Sequence, residues 1–312
     1  MRKNRNQEIV IIGFAILISL NLFSFLQAYP HISELNSGCC ATTPLARDFS
    51  AFYVGAWRLF NNPSQVYFHG NLNDGGPQIY PRPEQYKYLP SFLFIVTPLI
   101  FESYNQAIMS FDIIQFLLLP FIALLIYKLV IPKGVLFTLL VGFPALLLPS
   151  PGPHWGFSAA FYWEWSEGQS KVLETFLLLV SLYLAYSKKP RLSGVLLGIS
   201  FFDPRFSLAA LPLFLTFNRQ KLRTSLTTLA VTVIISNLPL LYPGMGSEFL
   251  SMLISTGIRT EFYPYAFIPF VTVVLLSLVY HEEISSAYRE FRTKNYRGRF
   301  TENGQSKTPI VT

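Results

Sequence analysis

The chain has 312 residues, of which 51% are hydrophobic, 16% aromatic and only 13% charged, whereas a soluble domain carries about 25% charged residues. That deficit, with a mean hydropathy of +0.39, excludes an ordinary soluble domain and points to several separate apolar runs. The net charge of +7 reads as Lys- and Arg-rich cytoplasmic loops, because no nucleic-acid-binding motif accompanies it.

Arg2, Lys3 and Arg5 precede an apolar run over 9–28. This run exceeds the apolar core of a signal peptide and has no small-x-small cleavage site behind it, so it reads as a retained first span. The vicinal Cys39 and Cys40 can form neither a disulfide framework nor a zinc site, and read as small loop residues. Phe49, Phe52, Tyr53, Ala56, Leu59 and Phe60 then recur at helical spacing. The pattern predicts an amphipathic helix in the membrane interface, with Asp48 or Ser50 as its N-cap. Asp48 also suits a second role, as a carboxylate that takes a proton from a hydroxyl at the membrane surface. Tyr67, Tyr86 and Tyr88 fit an aromatic belt at headgroup level.

Further apolar runs cover 89–101, 107–131, 134–149, 172–187, 192–202, 206–217, 226–242 and 265–280. Charge decides how they are threaded. If 89–101 stays outside, 17 of the 24 basic residues fall in cytoplasmic segments. If it crosses, the loops holding Lys188, Lys189 and Arg191, and Arg219, Lys221 and Arg223, are thrown outside. The expected protein is therefore all-α and polytopic, with eight membrane segments over 1–280 and both termini cytoplasmic. Its outer loops span 29–105, 150–170 and 243–264, and a charged tail over 281–312 is expected to lack fixed structure.

The second outer loop reads Trp163-Glu164-Trp165-Ser166-Glu167-Gly168-Gln169-Ser170-Lys171. Carboxylates, an amide and an ammonium beside aromatic faces suit a sugar, and equally a turn before a span. Arg205, in the turn Asp203-Pro204-Arg205, either pairs locally with Asp203 or neutralises the phosphate of a lipid-linked donor. His31, His69, His154 and His281 are scattered, so no metal-ligand set is visible. Phosphate-loop, nucleophile-elbow and zinc-protease motifs are absent from the sequence. The spans carry Asp112 and Glu174 near their outer ends, which argues against a transport path at the bilayer midplane.

Taken in order, several stretches resemble glycosyltransferase family 87, the polyprenyl-phosphate-mannose-dependent group of the GT-C superfamily. They are Asp48-Phe49-Ser50-Ala51-Phe52-Tyr53 with Ala56, Val66-Tyr67, Tyr88-Leu89-Pro90 and Thr97-Pro98-Leu99. Gly168-Gln169-Ser170-Lys171 and Ser193-Gly194-Val195-Leu196-Leu197-Gly198-Ile199, with Pro204-Arg205 behind it, complete the series. The resemblance implies a GT-C-like helical bundle with interfacial helices in the first outer loop, in the cell membrane, with its site on the outer face. It implies transfer of a hexose, most often mannose, from a polyprenyl-phosphate donor to a lipid or glycan acceptor, with inversion. Asp48 would be the base, Arg205 and Lys171 would bind the donor phosphate, and Gln169, Glu167, Tyr88 and Tyr53 would meet sugar or acceptor. No metal, cofactor or nucleic acid is implied. A non-catalytic protein that binds polyprenyl lipids or assists glycan assembly remains the alternative.

Overall fold

Helix forms in the described part of each apolar run, and the stops have local causes. The computed structural model describes residues 2–34, 47–70, 72, 75–77, 79, 83–146, 165–166, 168–256 and 268–303. The principal helices are α1 (Arg2–Glu34), α2 (Arg47–Asn61), α3 (Ser91–Val96), α4 (Tyr104–Val130), α5 (Val135–Leu146) and α6 (Lys171–Tyr186). They continue as α7 (Pro190–Ser200), α8 (Pro204–Phe217), α9 (Leu222–Ser236), α10 (Met245–Thr256), α11 (Ile268–Val279) and α12 (His281–Asn303). Strands are absent among the described residues. α4 opens where the Gln106 side-chain oxygen accepts from the Ser103 backbone N–H at 3.2 Å and from its hydroxyl at 2.7 Å, closing off an otherwise orphaned donor. It ends in a 3-10 turn holding Pro132, followed by Gly134 at φ 130°. α7 and α8 both start with a proline, whose fixed φ and missing N–H suit the first helical position.

Among the described residues two helical stretches, Asn6–Gln27 and Tyr104–Lys133, are long and apolar enough to cross a membrane. The pair Ile268–Val279 and His281–Phe291 passes the same test together, bent by 73°. α1 leaves Ile11, Ile12, Ile16 and Phe23 uncovered, as a lipid-facing helix would. The protein is thus helical, with apolar helices of membrane-spanning length.

Helices α4, α7, α8 and α11 pack around a central α6. The C-terminal ends of α4, α6, α8 and α11 gather at one end of the bundle. There Tyr280 donates its hydroxyl hydrogen bond to the Leu129 carbonyl, and its ring packs on Phe217 and Tyr186 at 4.9 and 6.4 Å. This end also holds Lys188, Lys189, Arg219 and Lys221 in its turns. The starts of α4, α6 and α8 lie together at the opposite end.

Two apolar clusters divide the interior. One fills the bundle with residues of α1, α4, α5, α6, α8 and α11, including Phe14, Ile126, Leu178, Leu182 and Phe214. The other joins α2, α3, the start of α4 and α10 into an aromatic cap over one end, around Phe49, Phe52, Tyr86, Phe92 and Phe202. α2 departs from the expected interfacial helix. Residues 49–56 are all buried, so the helix is enclosed on every side and lacks a wet face over that stretch. Of its predicted apolar set only Phe60 is exposed, at 55%. Nor do Asp48 and Ser50 precede the helix as caps. The first turn already includes Asp48, where a carboxylate complements the helix dipole, and the Ser50 hydroxyl accepts from the Glu84 backbone N–H at 3.0 Å.

α12 is the second departure. The charged segment expected to lack structure is helical over His281–Asn303. Glu282 and Glu283 sit in its first turn, favoured by the dipole. Glu283 pairs with Lys133, Glu290 reaches Arg219 at 3.9 Å, and Ile284 packs against the bundle core, so a segment whose composition favours solvent has tertiary contacts.

α7 and α9 make the closest helix contact. Between helices in lipid, close packing replaces the hydrophobic effect, and small residues permit it. A Cβ on Gly194 would collide with the Ser225 carbonyl and the Thr228 hydroxyl, and would lie 3.0 Å from the Leu229 nitrogen. One on Gly198 would lie 2.6 Å from the Thr232 Cβ. Gly194→Val should therefore lower the thermal stability of the detergent-purified protein, by about 1–3 kcal/mol as overpacked sites do. An unchanged melting temperature would show that the two helices are free to part.

Candidate functional site

The aromatic cap positions Tyr88. The Tyr67 hydroxyl donates to the Tyr88 carbonyl at 3.1 Å, Gln85 donates to the Tyr67 carbonyl at 2.8 Å, and the Tyr86 hydroxyl donates to the Leu89 carbonyl at 2.6 Å. The Leu89 N–H donates to the Phe202 carbonyl at 3.1 Å, which ties this loop to the turn between α7 and α8. Rings of Phe52, Phe92 and Phe202 then surround Tyr88 at 5.6, 6.0 and 6.0 Å.

Beside the Tyr88 hydroxyl lies a chain of charges. The Lys171 ammonium is 3.4 Å from that hydroxyl, 3.1 Å from Glu174 Oε2 and 3.2 Å from Asp203 Oδ2. It also stands over the Tyr88 and Phe206 rings at 5.1 and 4.8 Å, within cation–π range. Arg205 grips Asp203 with two bonds, Nε to Oδ1 at 2.8 Å and a terminal nitrogen to Oδ2 at 2.6 Å. Lys171, Glu174 and Asp203 are essentially sealed, whereas the Arg205 side chain is 66% exposed. Two cations and two carboxylates therefore form a neutral, mostly buried chain that opens to the outside through one guanidinium.

The local sequence explains this placement. Lys171 and Glu174 stand three apart at the start of α6, on one helix face. Asp203 caps α8, accepting from the Arg205 backbone N–H at 3.3 Å. Gln115 of α4 clamps the start of α6, donating to the Gln169 carbonyl at 2.7 Å and accepting from the Leu173 N–H at 3.3 Å. Burial raises the Tyr88 hydroxyl pKa; Lys171 opposes this, and the charges of Asp203, Asp48 and Glu174 add to it. Burial works against the Asp203 carboxylate, but Lys171 and Arg205 outweigh it and hold its pKa below the usual value.

Of the residues predicted from sequence, Tyr88, Lys171 and Arg205 come together, and the half-buried Asp48 on α2 lies near enough for its charge to act on Tyr88. The local pair read into Asp203 and Arg205 is present. Lys171 differs from expectation: it is a buried cation engaged by two carboxylates, not an open phosphate ligand. Tyr53 belongs to another part of the cap, its hydroxyl donating to the Glu102 carbonyl at 2.6 Å. Gln169 is 97% buried, and its backbone carbonyl is the group in contact. Glu167, Trp163, Cys39 and Cys40 lie outside the described residues. Trp165 is fully buried, its indole N–H donating to Asn21 Oδ1 at 3.1 Å, so it anchors α1 and does not present a stacking face.

Sequence reasoning missed Glu174 and Gln115 as parts of the site. The spacing of Lys171 and Glu174 was a usable signal for the first; only packing reveals the second. Glu174 Oε1 and the Ser170 hydroxyl are buried without a hydrogen-bond partner among the described residues. Among those residues there is also no cluster of three or more His, Cys, Asp or Glu able to hold a metal ion. Compared with protein-family models, curated proteins and solved structures, the chain matches none.

Proposed function

We propose that the chain is a multi-pass cell-membrane glycosyltransferase with eight membrane segments in a GT-C-like bundle. Both termini are cytoplasmic, and the cap with its charge chain lies on the outer face. The substrate class is a hexose, mannose foremost, carried on a polyprenyl phosphate and moved to a lipid or glycan acceptor. Asp48 takes the acceptor hydroxyl proton while that oxygen attacks the anomeric carbon. The bond from the anomeric carbon to the phosphate oxygen breaks with inversion, and the phosphate leaves with the electron pair. Arg205, the exposed cation of the chain, meets that developing charge. Lys171 acts from behind, holding the Tyr88 hydroxyl and Asp203.

The observation that carries the reading is the meeting of Tyr88, Lys171 and Arg205, drawn from three distant stretches, at the end opposite the basic turns, with Asp48 near enough for its charge to act on Tyr88. One feature favours a second reading, a non-catalytic polyprenyl-lipid-binding protein: both cations already have carboxylate partners. Purified protein in nanodiscs, given labelled mannosyl-phosphoryl-polyprenol and a membrane lipid extract, separates the two. Labelled product supports transfer; retained donor with no product supports binding alone.

A further inference from the structure

Opposite the candidate site, the turns leading into α7 and α9 line an open surface cavity of about 630 Å3. Its polar lining is Lys189, Arg191, Gln220, Lys221, Arg223 and Thr224. Among the described residues none of the four cations has an ion-pair partner; the nearby Glu290 is taken by Arg219. All four are exposed, and together they give the hollow a positive potential that an anion would neutralise.

The helix geometry adds to that potential. Gly194 meets Ser225 and Thr228, and Gly198, one turn on, meets Thr232. α7 and α9 therefore run parallel, in contact, with both positive dipole ends at the cavity. Cations are disfavoured at a helix N-terminus, yet Arg191 and Arg223 both lie in first turns. The bias of basic residues toward cytoplasmic loops explains cations at this end of the molecule. It does not explain their convergence on one cavity between two helix starts.

We propose that this cavity binds a phosphate group, carried either by an anionic phospholipid headgroup or by a soluble phosphate compound. Its volume falls in the range of small-ligand sites. Leu192, 55% exposed, stands at its edge and offers a first apolar step for an acyl chain. On the bilayer placement proposed above, the cavity lies at the cytoplasmic headgroup level. Binding is read without sugar transfer, so this inference and the transferase reading fail separately.

Native mass spectrometry of the full chain in neutral detergent is the test, with phosphatidylglycerol, phosphatidylcholine or inorganic phosphate added. Wild type should hold phosphatidylglycerol over phosphatidylcholine if the source is a lipid, or inorganic phosphate as firmly as phosphatidylglycerol if the source is soluble. Arg191→Gln combined with Arg223→Gln should weaken binding roughly 30-fold, while Lys128→Gln, outside the cavity, should leave it unchanged. Equal retention of both lipids with no inorganic phosphate bound overturns the proposal, as does undiminished binding by the double variant. Should the double variant not fold, the three-probe comparison on wild type decides alone.

Discussion

Lys171→Met is expected to destabilise the protein by about 3–5 kcal/mol, the usual cost of leaving a buried charge without its partner. Methionine matches the length of the lysine stem, so packing against Tyr88 and Phe206 survives and the loss isolates the charge. Glu174 then has no cation within reach, and Asp203 keeps only Arg205, which is mostly exposed. The measurement is a thermal unfolding midpoint in detergent, with the double variant Lys171→Met, Glu174→Gln alongside. The double variant should recover part of the loss, because an amide is far less costly to bury than a carboxylate. Additive losses would mean that Lys171 and Glu174 do not feel each other, against their 3.1 Å separation.

Asp48→Asn is expected to lower transfer by about 10²–10⁴-fold, the range of a lost general base, with donor binding retained. Asp48 sits in the first turn of α2, where its charge contributes about 0.3–1 kcal/mol with the helix dipole. The fold should therefore tolerate the amide, and the two readouts separate: turnover collapses while the melting temperature moves little. Unchanged turnover removes Asp48 as the base. A large fall in stability with a proportionate fall in activity would make it a structural residue of the cap.

Much of the fold was legible because its signals are local. Apolar runs separated by Pro132, Pro190 and Pro204 mark where helices must stop and start, and helix forms in the described part of each run. The helical period of α2 was readable for the same reason. Its burial was not, since an aromatic-rich face looks alike whether it meets lipid, headgroups or Tyr86 and Phe92. The tail shows the converse. Composition favours solvent over 281–303, and the contacts that α12 makes are with partners distant in sequence, Lys133 and Arg219 among them.

The site was legible in its residue types but not in their electrostatics. Asp48, Tyr88 and Arg205 could be picked out because each is a chemically capable group in a long loop or tight turn. That Lys171 is already neutralised depends on Glu174 one turn away and on Asp203, thirty-two positions on. A lone lysine in a linear sequence carries no mark of such engagement.

The order of amino acids alone settles that the apolar runs are helical, which stretches are apolar enough for a bilayer, and where its basic residues cluster. These properties are sums over neighbouring residues, with a range of a few turns. Tertiary packing alone decides that the first-loop helix is enclosed, that four charges form one neutral chain, and that two parallel helices aim their positive ends at one cavity. Those are properties of distance, and Coulomb energy and desolvation take their values only once remote segments have met.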